Sequence, residues 1–221
     1  MSKSKPDKSA AAQQNMPLTD QAMVYLRDAI HTRKFKPGQE IDFSSLAKDL
    51  GMSRTPIRES IRQLVTEGLL ELLPGGTVSV TQLSDEEAEG FYHVRNNLEV
   101  AAARAAAVHI SDLEVEMLKA NLALFDKART QPGKLALIDD QFHTLLYDAC
   151  NNNYLSQTLK LLRFQVGLLQ GRPFNNPQRI DASYKEHKSI IRALESHNPD
   201  LTEKAVAKHY NNARKSRLAQ L

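Results

Sequence analysis

The chain has 221 residues, 41% of them hydrophobic, and a formal net charge of +3: enough for two modest domains with real cores, with too little charge imbalance to name a partner. The one cysteine, Cys150, excludes an internal disulfide and a cysteine-rich metal cluster, and suits a reducing compartment such as the cytoplasm. No apolar run approaches the roughly 20 residues of a membrane span and the N-terminus lacks a signal-peptide core, so a soluble protein is expected.

Residues 1–17 carry Lys3, Lys5 and Lys8 against Asp7 among Ser, Ala, Gln and Pro, and read as a disordered, mildly basic tail. Order is expected from Thr19, a candidate N-cap for a helix in which Ala22, Met23, Leu26 and Ile30 recur at helical spacing. Pro37-Gly38 is expected to end it. A short helix over Phe43–Leu50 follows, with Leu46, Ala47 and Leu50 as its buried side and Gly51 as its stop.

Next comes "MSRTPIRESIRQLVTEGLL". Ser53 can cap a third helix whose first turn holds Pro56, where a missing N–H costs nothing. Ile57, Ile61, Leu64 and Val65 fall on one side, and Arg54, Arg58 and Arg62 repeat every four residues on another. A stripe of guanidinium groups beside the Ser53 and Thr55 hydroxyls offers forked donors to guanine edges and phosphates in a major groove. On charge alone a solvated face, with Glu59 and Glu67 pairing the arginines, remains open.

Context favours DNA. Helix, short helix, turn and basic helix make a helix-turn-helix, and "LLELLPGGTVSVTQLS" adds two short β runs around Pro74-Gly75-Gly76. Residues 18–83 thus read as a winged helix-turn-helix domain. "FKPGQEI", "LAKDLGMSRTPIRESIRQLVTEGLLE" and this wing resemble the DNA-binding domain of the GntR family of bacterial transcription regulators. The resemblance implies that Ser53, Arg54, Thr55 and Arg58 touch the operator. Two positions depart from it: Ser44 stands where some members carry a DNA-reading arginine, and Gly75-Gly76-Thr77 stands where many have Asn-Arg-Gly. Such a wing can still offer the Gly75 and Gly76 backbone N–H groups to phosphates, which leaves most of the sequence preference to the recognition helix.

Thr81–Leu83 reads as a linker. Beyond it Ser84 with Glu87, Ser111 with Glu114 and Asp200 with Glu203 fit capping boxes. Six helices are expected, roughly 85–108, 112–129, 134–150, 152–171, 179–196 and 201–219. Phe91, Val94, Leu98, Ala102, Ala105 and Val108 trace the expected buried stripe of the first, and Leu155, Leu159, Leu162, Val166 and Leu169 that of the fourth. Residues 84–221 should therefore form an all-α antiparallel helical bundle, and the whole chain is mainly α.

In "LIDDQFHTLL" Asp139 and His143 lie four apart, beside the expected core stripe Leu135, Ile138, Phe142, Leu145 and Ala149. His187 lies on the stripe Ile180, Tyr184, His187, Ile191 and Leu194, and His209 lies below Leu201 and Ala205. One acid and three imidazoles from three helices can make a site suited to zinc, and also to nickel, manganese or iron, better than to calcium or magnesium. Singly, each histidine is more often hydrogen-bonded core. This half of the chain resembles the FCD-type effector domain of the FadR branch, one group of which has six helices like the VanR-type regulators. The family motif is met by Asp139, His143, Glu186-His187 and His209. In members with the site, the metal keeps positions open to water or to the carboxylate of a small organic acid. The "VRNNLE" segment also fits, which implies that Arg95 reaches the pocket to balance an anionic ligand; a salt bridge with Glu99 is the alternative.

The expectation is a ligand-responsive transcription regulator, a repressor and homodimer. It would bind the double-stranded DNA of a near-palindromic operator, with a divalent metal and a small organic acid in its bundle. The rivals are a metal-dependent hydrolase with a DNA-targeting module, for which Asp140 is a poorly placed base, and a sensor of the metal itself.

Overall fold

A computed structural model describes residues 16–169 and 173–218. The expected tail lies outside the described residues except for Met16 and Pro17. The chain divides after Gln82 into two compact units. Among the described residues no helix is long and apolar enough to cross a membrane.

The first unit holds α1 (Leu18–His31), α2 (Phe43–Leu50), α3 (Arg54–Thr66), β1 (Leu70–Leu72) and β2 (Val78–Val80). Helix α1 starts one residue before Thr19, with Pro17 at the N-cap and no side-chain cap bond. The Thr19 hydroxyl is spent instead on Glu59 Oε2, 2.9 Å away in α3. Nor does Pro37-Gly38 end α1: the helix stops at His31, and Arg33 takes a left-handed φ of 58°. Helix α2 gains its N-cap from Asp42, whose carboxylate accepts from the Ser44 and Ser45 backbones, and it closes on Gly51 at φ 63°. Leu26, Ile30, Ile57 and Leu64 are wholly buried between the helices, each worth about 1.5–3 kcal/mol of burial. Leu50 and Val65 are only half-buried.

The strands pair antiparallel with Leu70 opposite Val80, and Glu40 bridges to Ser79 on the other edge of β2. Val80 N–H donates to Gln39 O and Ile41 N–H to Val78 O, so β2 lies between two neighbours and all three of its residues are buried. At the tip Gly75 and Gly76 take φ of 90° and 85°, a turn that only glycine adopts freely.

The second unit is all helix: α4 (Asp85–His109), α5 (Asp112–Lys127), α6 (Pro132–Asp148), α7 (Asn153–Gln165), α8 (Pro177–Glu195) and α9 (Pro199–Leu218), with short 3₁₀ turns at Val166–Leu168 and Pro173–Asn175. Both sides of the capping box are present at Ser84–Glu87 and Ser111–Glu114. The third expected box is not formed. Pro199 is the first residue of α9, the Asn198 side chain caps the Leu201 N–H, and Asp200 with Glu203 grips Arg104 instead. Helix α7 also ends earlier than expected, turning into 3₁₀ geometry at Val166.

Two expected stripes are corrected. Helix α4 buries Tyr92, Arg95, Glu99, Ala102, Ala103, Ala106 and Ala107, leaving Val94 52% and Val108 60% exposed. The alanines let α9 pack close against α4. Helix α7 buries Ser156, Leu159 and Arg163, with Leu155 and Leu162 half-buried. In α9 the inward residues are Thr202, Val206, His209 and Tyr210, while Leu201 is half exposed. The main core runs through Ala106, Leu118, Phe142, Leu146, Ile190 and Val206.

Candidate nucleic-acid interface and metal centre

Helix α3 presents Ser53, Arg54, Thr55, Arg58 and Arg62 to solvent, opposite buried Ile57, Ile61 and Leu64. Ser53 is the N-cap residue by position, but its hydroxyl makes no cap bond and is left for another partner. Glu59 and Glu67 face α1: Glu59 accepts from Thr19, and Glu67 pairs with Arg27 at 2.5 Å. Among the described residues neither Arg58 nor Arg62 forms an ion pair, and Arg54 donates to Ser44 Oγ at 3.2 Å. The stripe therefore keeps its charge for an anion. Gly75 and Gly76 are exposed at the wing tip.

The bundle brings His143 (α6), His187 (α8) and His209 (α9) together, one ring nitrogen of each within 4.8 Å of the others, and all three are buried. The two outer rings are held from behind. His143 Nδ1 meets the Tyr210 hydroxyl at 2.8 Å and His209 Nδ1 meets Glu186 Oε2 at 2.8 Å, which leaves Nε2 of each for a ligand. This back-support is the arrangement metal-binding imidazoles usually have. His187 is wholly buried, stacked on Phe142 at 4.0 Å, and among the described residues neither ring nitrogen has a hydrogen-bond partner. An imidazole gives a metal one nitrogen, and the unbonded Nε2 of His187, on the side of Asp139, is available for that, so the residues fit a metal ion.

Asp139 lies against two of these histidines but outside the group whose ligand atoms are all within 4.8 Å of one another. Its Oδ1 is 3.5 Å from His187 Nε2 and its Oδ2 is 3.8 Å from His143 Nε2. Arg163 holds it, Nη2 donating to Oδ2 at 2.8 Å, and Nε of the same guanidinium donates to Asp140. Asp140 thus has a partner of its own. Burial alone would raise the Asp139 carboxyl, but Arg163, His187 and His209 outweigh it and hold it down to about 2. Burial lowers His187 to about 3, with His209 adding to it, and burial followed by Arg163 pushes His143 well below its usual value. An ionised carboxylate and neutral imidazoles are the forms that bind metal.

Arg95 forms the ion pair with Glu99 and also stands at the pocket. Its Nε donates to Glu99 Oε1 at 3.0 Å, its Nη2 reaches the Tyr210 hydroxyl at 3.3 Å, and it lines a cavity that also touches Asp139, His143 and His209. Glu99 in turn accepts from Tyr147. Arg179 forms a two-pronged pair with Glu186, at 2.9 and 2.7 Å. Sequence reasoning missed Arg163, Arg179 and Tyr210; the one signal was polar groups interrupting apolar stripes, as Arg163 does between Leu159 and Val166. A larger groove, about 430 Å³, runs between α5 and α6, but it is mainly apolar and none of the three histidines lines it.

Comparison with known proteins places both halves. Residues 18–80 match the family described as bacterial regulatory proteins, gntR family, and residues 90–212 match the FCD domain. The uncharacterized HTH-type transcriptional regulator YdhC of Bacillus subtilis is 28% identical over 189 residues, 84% of this chain and 84% of that protein. The HTH-type transcriptional repressor RspR of Escherichia coli is 26% identical over 185 residues, 83% of this chain and 81% of its own. Among solved structures, E. coli McbR/YncC superposes with a TM-score of 0.86 at 20% identity, covering 93% of this chain and 99% of that one, a likeness of fold.

Proposed function

Because the chain belongs to the GntR family, with an FCD domain as its C-terminal half, it is a DNA-binding transcriptional regulator and not an enzyme, and we propose that a divalent metal and a small carboxylate in the bundle control its hold on DNA. On this reading the protein is a homodimeric repressor of the cytoplasm, like RspR a repressor by name, and zinc is the first choice of metal. The observation that carries the proposal is the buried triad, in which His187 is wholly enclosed and, among the described residues, neither of its ring nitrogens is hydrogen-bonded.

The chain's own residues supply each step. Residues 18–83 of two copies meet the half-sites of a near-palindromic operator, since protein two-fold symmetry is mirrored in the DNA. Arg54, Arg58 and Arg62, with Ser53 and Thr55, face bases and phosphates, and the Gly75 and Gly76 backbones approach the phosphates beside them. In residues 84–221, Asp139, His143, His187 and His209 would hold the metal, which offers an open coordination position to a carboxylate. Arg95 and Arg163 put positive charge beside that position. The acid regulates only through a difference in its affinity for the DNA-competent and DNA-incompetent arrangements.

Two measurements test the proposal. Arg54→Ala and Arg58→Ala should each weaken operator binding at fixed salt by about 1–3 kcal/mol; unchanged affinity in both removes α3 as the reading helix. Purified protein should carry metal that the double variant His143→Ala, His187→Ala loses, and full occupancy in that variant would reject the ligand set.

A further inference from the structure

His143 and His209 are not supported alike. His209 Nδ1 rests on a carboxylate, Glu186, at 2.8 Å, whereas His143 Nδ1 rests on a hydroxyl, that of Tyr210, at 2.8 Å. A carboxylate paired with Arg179 only accepts, so His209 carries a proton on Nδ1. A hydroxyl can give or take, and Tyr210 by itself leaves the tautomer of His143 undecided.

The next contacts decide it. Among the described residues the Tyr210 hydroxyl meets His143 Nδ1, Arg95 Nη2 at 3.3 Å and the Tyr147 hydroxyl at 3.5 Å. Arg95 has only protons to offer. Tyr147, one turn after His143 on α6, donates its single proton to Glu99 Oε1, the carboxylate that pairs with Arg95. Tyr147 therefore has nothing left to give Tyr210 and can only accept from it. Tyr210 has one proton and two takers, His143 and Tyr147. In metal-free protein the shorter contact wins: Tyr210 donates to His143, whose own ring proton then sits on Nε2, toward Asp139 Oδ2 at 3.8 Å. When Nε2 is a metal ligand the ring proton sits on Nδ1 instead, and Tyr210 turns its proton to Tyr147. His143 and Tyr210 each keep one proton in both arrangements. Resting on the metal reading proposed above, we infer that Tyr147 and Glu99 are positioning residues of that centre, which take up the Tyr210 proton and so leave His143 Nε2 bare. Glu99 does for His143 through two hydroxyls what Glu186 does for His209 directly.

The test measures zinc affinity by chelator competition in full-length protein, for the wild type, Tyr147→Phe, and Tyr147→Phe combined with Tyr210→Phe. Phenylalanine at 147 keeps the ring and removes the oxygen that Tyr210 needs. Tyr210 then goes on donating to His143 Nδ1, and zinc should bind at least about tenfold more weakly. Removing the Tyr210 hydroxyl as well lifts that block, so the double variant should bind zinc at least about threefold tighter than Tyr147→Phe. A merely structural role predicts the opposite, because a second lost hydroxyl would weaken the site further. Unchanged affinity in Tyr147→Phe, or a double variant no tighter than the single one, overturns the inference. In the wild type, long-range proton–nitrogen NMR should find the His143 ring proton on Nε2 without zinc and on Nδ1 with it. A ring proton on Nδ1 in both states overturns the inference even if neither variant folds. Wild-type protein that binds no zinc overturns the metal reading together with it.

Discussion

His187 is enclosed so completely that its protonation is decided by the protein and not by the solvent. Burial holds it near 3, and His143 is displaced in the same direction, whereas an unfolded histidine titrates near 6.5. In metal-free protein the unfolded chain therefore takes up protons below about pH 6.5 that the folded chain refuses. Stability that is full above pH 6.5 is lost progressively as the pH falls toward 3. Asp139 and Glu186, both held near 2, extend the loss in the same direction at lower pH, over the range below their ordinary values. The urea midpoint of metal-free protein should fall between pH 8 and pH 5, and His187→Gln should reduce that dependence. A midpoint flat over this range would mean that the histidines are charged inside the fold.

At the scale of the element, a cap and a surface ion pair can be told apart in α9. Asn198 accepts from the Leu201 N–H at 3.0 Å, while Asp200 reaches Arg104 at 2.7 Å with three quarters of its side chain in water. Asn198→Ala should cost about 1 kcal/mol and Asp200→Ala well under that, read as a difference in unfolding midpoint. Helix α4 allows a sharper contrast. Ala106 is wholly buried, so Ala106→Leu should cost about 1–3 kcal/mol through overpacking. The same change at exposed Ala101 should cost almost nothing. Much of this was legible in sequence. Gly51, Ser84 and Ser111 announced their roles because capping chemistry is local. The inward face of α4 was not legible: a hydropathy stripe ranks Val94 and Val108 above Arg95 and Glu99, and only partners from distant helices, Tyr147 and Tyr210, make that charged pair tolerable inside. Asp200 and Asn198 competed for one helix start, and the proline between them favoured the earlier residue.

For the whole molecule, each of the two compact units has its own candidate site. A fragment of residues 84–221 should fold, bind zinc as tightly as the intact chain and fail to retain operator DNA; loss of zinc binding in a folded fragment would show that the ligand set is incomplete without the winged half. The residues proposed as ligands could be picked out in sequence because Asp139 and His143 lie one turn apart on one helix, His187 falls on an apolar stripe, and the set with His209 matches the motif of the resembling family. Their supports could not: Arg163 behind Asp139, Glu186 behind His209 and Tyr210 behind His143 are contacts from one helix to another, which the spacing within a single helix does not show. The same limit hid the fate of Glu59 and Glu67, which meet Thr19 and Arg27 of α1 and not the α3 arginines.

The wing tip also bears on how this regulator could evolve. Where many wings of the resembling family are expected to carry an arginine in the middle of the tip, this chain has Gly76 at φ 85°. A single change of Gly76 to arginine would force a long L side chain into a backbone region costing about 1–3 kcal/mol before any phosphate is met. Thr77, next in the chain, carries no such φ. A lineage under selection for tighter operator binding should therefore acquire its wing cation at Thr77 first, and Gly76 should change only after the turn around it has been rebuilt.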